Sequence, residues 1–163
     1  MIFMNLDNVE VLGFKGKIDS VGDTLSQINV IKKDGEIIQL LNADAVAGKN
    51  HILHGVNQAF LAFERGVNLA NDLSVEIVLR CSAQRQISKA FDILGLREGE
   101  MNLCCVLVNC NDYKNQLSSI FDYDESVLTP DENYLKEVYG IGECEIPIED
   151  MIVDKISKLV VDY

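Results

Sequence analysis

The side chains best suited to chemistry in this chain lie in one short run, Arg80-Cys81-Ser82-Ala83-Gln84-Arg85-Gln86-Ile87. The chemistry they suit is anion binding. If Ser82 caps a helix, the N–H groups of Ala83, Gln84 and Arg85 open that helix with the positive end of its dipole behind them. Arg80 and Arg85 then bracket the anion with planar forks of donors that match phosphate. The plain alternative is a Ser-capped turn that binds nothing, and the residues alone leave both readings open.

Two elements must position this run. Val75 to Leu79 is apolar and β-branched, which predicts a strand before the turn. Ile87, Ala90, Phe91 and Leu94 recur at helical spacing and Gly95 supplies a stop, which predicts a helix after it. A longer helix is expected over residues 50–65, with Ile52, Val56, Ala59, Phe60 and Phe63 as its core stripe. On its other side His51, His54, Gln58 and Arg65 share an arc of about 60°. If this helix lies beside the turn, its His51, His54 and Arg65 join the same basic pocket. No Cys or carboxylate on that face completes a ligand shell with the two histidines, so no metal and no cofactor is expected.

The remaining chain reads as a strand from Val9 to Ile18, with Gly13 and Gly16 marking a bulge or bend, then a helix from Asp23 to Lys33 and a strand from Glu36 to Leu41. A short helical turn follows over Ala43 to Ala47. Met101 to Asn109 is apolar throughout, as a strand buried on both faces would be. Helices are expected from Asp112 to Phe121 and from a start at Thr129-Pro130, where Glu132 completes a capping-box spacing. These elements predict an α/β fold, a mixed, largely antiparallel sheet of about four strands flanked by helices. With 163 residues and 48% apolar content, one core and a single domain over residues 1–163 are expected.

A formal charge of −12 argues against a general nucleic-acid coat, but the charge is uneven. Residues 1–48 carry −3, residues 49–97 carry +2 and residues 98–163 carry −11, and all four arginines and both histidines fall in the middle segment. No membrane span or signal peptide is evident, so the protein is expected to be cytoplasmic. Cys81, Cys104, Cys105, Cys110 and Cys144 form an odd set without a CxxC pair, which predicts buried free thiols rather than disulfides or zinc. Two other functional classes stand beside anion binding within a larger assembly. One is an enzyme using Cys81 or Cys105 as nucleophile, which needs a base and an orienting acid nearby. The other is a free-standing sensor that binds a small anion or nucleotide, although no Walker-type glycine loop is present.

The last helix, from Ile148 to Val160, carries the second functional signal. Its large apolar residues cover an arc of about 200°, against the roughly 100° that a surface helix needs. Either a neighbouring element of this chain or a partner protein covers the second side. Ile152, Ile156 and Leu159 lie at the middle of the arc and are expected to point inward, with Met151 on one flank and Val153 and Val160 on the other.

The Ser82-Ala83-Gln84-Arg85-Gln86-Ile87 run, followed by Ala90, Phe91 and Gly95 and preceded by the long His-bearing helix, resembles the kinase-binding subunit family of the KEOPS/EKC complex, the PRPK-binding proteins of animals. The likeness covers most of the chain, is strongest from Leu41 to Asn109, and points to an archaeal member. Ala83 stands where the family's pattern has Gly. The resemblance implies a small α/β domain without catalytic activity of its own. Such a subunit binds and activates the complex's small atypical kinase and helps recruit the acceptor 3′ end of tRNA for threonylcarbamoylation of adenosine 37. On that basis the tRNA-binding positions are Lys49, His51, His54, Arg65, Arg80, Ser82 and Arg85. The kinase-binding positions are Met151, Ile152, Val153, Ile156 and Val160, and the remaining subunits are met indirectly.

Overall fold

The computed structural model describes residues 4–143 and 145–159. Among these, strands β1 (Val9–Ile18), β2 (Ile37–Asn42), β3 (Gly99–Val108) and β4 (Asp122–Tyr123) form one sheet in the order β2-β3-β1-β4. Every pairing in it is antiparallel. The helices are α1 (Val21–Ile31), α2 (Lys49–Arg65), α3 (Leu73–Ser82), α4 (Ile87–Leu94), α5 (Lys114–Ser118), α6 (Glu132–Tyr139) and α7 (Ile148–Lys158). Among the described residues, no helix is long and apolar enough to cross a membrane.

The sheet is covered on both faces, and β3 shows why its sequence is apolar without alternation. Cys104, Val106 and Val108 face the core shared with α2, α3 and α4, whereas Leu103, Cys105 and Leu107 face Ile28 of α1 and Leu117 of α5. A strand buried on both sides has no solvent face to be polar. A third apolar cluster joins Leu135 and Tyr139 of α6 to Ile148, Ile152 and Ile156 of α7. It lies outside the sheet layers, and α7 packs on α2, α3 and α6.

Three expectations give way to specific physical causes. The run Val75 to Leu79 is not a strand but the middle of α3, where Glu76 to Ser82 are all buried. A helix enclosed on all sides is as continuously apolar as a central strand, so periodicity does not separate them. The glycines of β1 mark no bulge, since its pairing with β3 runs unbroken from Val9 opposite Val108 to Ile18 opposite Gly99. They leave space instead: a Cβ at Gly13 would lie 2.7 Å from the Asp124 carbonyl oxygen, and one at Gly16 would lie 2.6 Å from the Phe121 ring. The cap of α6 is Asp131, whose side chain accepts the Tyr134 N–H, rather than Thr129.

Candidate functional site

Ser82 closes a helix instead of opening one. It is the last residue of α3, and its hydroxyl donates to the Leu79 carbonyl. Ala83 then takes left-handed backbone angles (φ 56°, ψ 37°), its N–H donating to the Arg80 carbonyl and that of Gln84 to the Leu79 carbonyl. This is the Schellman stop, which favours glycine and is taken here by Ala83. The dipole at Ser82 is therefore the negative end of α3, the reverse of the expected polarity. The positive end lies five residues on, where α4 starts at Ile87 behind Gln86 with no side-chain cap. Arg85, Ser88 and Lys89 are exposed around it.

Arg80 is enclosed, with no exposed surface. Its Nε donates to Glu76 Oε2 at 2.8 Å, one helical turn away, and that partner is equally buried. The other oxygen of Glu76 accepts the N–H groups of Leu69 (2.8 Å) and Ala70 (2.7 Å). This carboxylate folds the loop after α2 onto α3, and Arg80 balances its charge. Direct contact of Arg80 with a ligand is excluded in this conformation.

His51 is likewise structural. The Ala47 N–H donates to its Nδ1 at 3.0 Å, so the ring proton sits on Nε2 and is donated to the Cys81 carbonyl at 2.7 Å. The histidine satisfies a carbonyl in the last turn of α3 and ties α2 to it. Gly55, one turn further along α2, lets the two backbones approach, since a Cβ there would meet Cys81 Sγ at 2.4 Å and Cys81 Cα at 3.0 Å. Burial drives the His51 pKa down to about 4, with the Cys81 hydrogen bond opposing and the nearby His54 assisting.

An unfolded histidine takes up its proton near pH 6.5, so His51 contributes stability that is complete above that pH and is lost as the pH falls toward 4. Between pH 7.5 and pH 5 the loss should be about 2 kcal/mol in urea unfolding. His51→Gln should be less stable at neutral pH and should lack this part of the slope. Equal slopes for parent and variant would place the titration elsewhere.

The other basic positions are spread out. Lys49, at the start of α2, is exposed and pairs with Glu125 at 3.4 Å, whereas Arg65 ends the same helix, about 24 Å away along its axis. His54 is half-buried; its Nε2–H donates to Ser157 Oγ (2.8 Å), whose own proton goes to the Val153 carbonyl (3.0 Å). The structure therefore does not gather the predicted basic residues into one pocket. It brings Lys155 and Lys158 of α7 to the Ser82–Gln84 turn, where they and Tyr139 line a cavity of about 170 Å³. Sequence reasoning missed these two because they lie some seventy positions downstream; their only sign was two lysines three apart near a helix end.

The wide apolar arc of α7 is covered mostly from within. Ile152 and Ile156 are fully buried, Leu159 nearly so, and Met151 packs on the cluster shared with α6. Ile152 and Ile156 are thus core residues rather than surface contacts. Val153 is half-exposed and belongs to none of the apolar clusters. Val160 lies outside the described residues.

No group of three His, Cys, Asp or Glu residues suited to a metal occurs among the described residues. The described thiols of Cys81, Cys104, Cys105 and Cys110 are free, and burial pushes them all upward, Cys104 to about 12 and Cys110 to about 11. His51 meets Cys81 at its carbonyl, not at its sulfur. That is the opposite of an activated nucleophile, which needs a lowered pKa and a base on the thiol.

The family described as "Kinase binding protein CGI-121" matches residues 17–161. The chain is 34% identical over 135 residues to the regulatory protein Cgi121 of Methanocaldococcus jannaschii, covering 80% of this chain and 88% of that protein. It is 31% identical over 99 residues to the KEOPS complex subunit Cgi121 of Pyrococcus abyssi, covering 58% of each. With the match running from within β1 through α7, the chain belongs to the kinase-binding CGI-121 family.

Proposed function

We propose that this protein is a cytoplasmic, non-catalytic regulatory subunit of a KEOPS complex, acting as one domain over residues 1–163. It binds and activates the small atypical kinase of that complex and helps to recruit tRNA for threonylcarbamoylation. The observation that carries this reading is membership of a kinase-binding family, with relatives named as a regulatory protein and as a KEOPS subunit. The thiols of Cys81 and Cys105, raised by burial, and the contact of His51 with the Cys81 carbonyl rather than its sulfur favour it over a cysteine enzyme.

Kinase docking is assigned to the half-exposed flanks of α7, through Val153 on one and, to a lesser extent, Met151 on the other. Val160 is kept as a further contact, and Ile152 and Ile156 support the surface from beneath. For tRNA the exposed Arg85, beside the uncapped start of α4, is the main contact. Lys49, His54 and Arg65 are accessory contacts along α2, and Ser82, Arg80 and His51 hold the turn in shape. A helix start with cations around it suits phosphates.

The partner is tested by titrating the complex's kinase into the protein in a calorimeter, where saturable one-to-one binding is expected. For tRNA, Arg85→Ala should lower the slope of log affinity against log salt by about 0.7 to 0.9, the share of one phosphate contact. The melting temperature should not change. An unaltered slope would move tRNA to another face.

A further inference from the structure

The first turn of α2 lacks a cap of its own: its N-cap is Gly48, and no side chain there accepts a hydrogen bond. The missing acceptor comes from 98 positions away, as Glu149 Oε2 of α7 accepts the His51 N–H at 3.1 Å. The backbone is shaped around that carboxylate. Gly48 has φ 128°, which side-chain-bearing residues rarely adopt, and a Cβ on it would lie 2.4 Å from Glu149 Oε2. A second tie follows two turns along α7, where Ser157 Oγ accepts from His54. Glu149, Val153 and Ser157 are spaced at four, so they form one half-exposed stripe along the margin where α7 meets α2. Its two ends are hydrogen-bonded to α2, and the half-exposed Val153 sits between them.

We propose that Glu149 is a positioning residue for kinase binding: its carboxylate, held on the open end of α2, fixes the register at which α7 presents Val153 to the kinase. This rests on the assignment of kinase docking to α7. Apolar packing alone leaves α7 able to slide or rotate on the Leu135–Ile152 cluster, because methyl groups carry no directional preference. A hydrogen bond from a helix start to a side-chain acceptor is directional. When the tie is lost, α7 spends only part of its time in the docking register, and the apparent Kd rises by the inverse of that fraction.

The experiment is calorimetric titration of the intact protein with the kinase, alongside urea unfolding and hydrogen exchange. Glu149→Ala should weaken kinase binding about five- to tenfold, in keeping with loss of a helix cap, and should speed exchange of the His51 and α7 amides. Glu149→Gln keeps the acceptor and should stay within about twofold of the parent. Ile38→Val, in the apolar cluster on the opposite face of the sheet, serves as a control that lowers stability without touching α7. It should bind the kinase like the parent, which separates register from general weakening. If Val153→Arg abolishes binding while Glu149→Ala binds like the parent, the positioning role is wrong and the docking assignment stands. If Val153→Arg also binds like the parent, the docking assignment itself fails.

Discussion

Replacing Arg80 with Ala should cost about 3 to 5 kcal/mol of folding stability, the range for removing one partner of a buried ion pair. The guanidinium has no exposed surface, and its Nε lies 2.8 Å from Glu76. Removing it leaves a carboxylate buried with no cation beside it, still accepting the Leu69 and Ala70 N–H groups. Those bonds would hold the charge in place and so keep its desolvation cost in the folded state. Urea unfolding at pH 7.5 measures the loss directly. Glu76→Gln with Arg80→Met should recover most of it, because the amide oxygen still accepts the two loop N–H groups and no charge is stranded. A loss below about 1 kcal/mol for Arg80→Ala would mean that water reaches the pair. Weaker tRNA binding by this variant would report on folding rather than on a phosphate contact.

The second large effect concerns α7. Ile156 has no exposed surface and belongs to the cluster that joins α7 to α6. Ile156→Arg should unfold the domain, since an unpaired cation in an apolar cluster has no compensating partner. Val153→Arg keeps its head in water and should leave the melting temperature nearly unchanged. Its effect should appear in kinase binding, with a loss of about a hundredfold if a large apolar side chain is fully buried there on docking. Met151→Arg is expected to fall between the two, because Met151 already packs against the third cluster. Should Val153→Arg melt like Ile156→Arg, the exposed side of α7 has been placed on the wrong flank.

Elements with one clear period were legible in the sequence. The span of α2 followed from its stripe of Ile52, Val56, Ala59 and Phe60, and α7 from Ile152, Ile156 and the acids of its first turn. β3 followed from unbroken apolarity at strand length. α3 did not, because a short run of Val, Ile and Leu fits a buried strand and a buried helix equally. The discriminating signs were polar: Asp72 caps Ser74, and Glu76 and Arg80 stand one helical turn apart. β4 has two residues, Asp122 and Tyr123, and is a strand only because β1 lies beside it. The candidate site suffered from the same error. With α3 read as a strand, Ser82 became a helix start, and both the polarity of the turn and the accessibility of Arg80 came out reversed. Arg85, expected beside the same turn, is on the surface, and Val153, expected on a flank of the last helix, is half-exposed.

The two glycines of β1 also bear on how this protein behaves when made without its partners. A ten-residue strand with a bare margin would offer a row of N–H and C=O groups to any passing chain. Here the space left by Gly13 and Gly16 admits Asp124, Val127 and the Phe121 ring against the strand. The Asp124 N–H then takes the Gly13 carbonyl at 2.9 Å, while Asp122 and Tyr123 pair with Lys15 and Phe14. The middle of β1 is thereby closed to strand addition and edge-to-edge aggregation. A side chain at either glycine would lift this cover, so its first consequence should be precipitation during expression rather than a loss of binding.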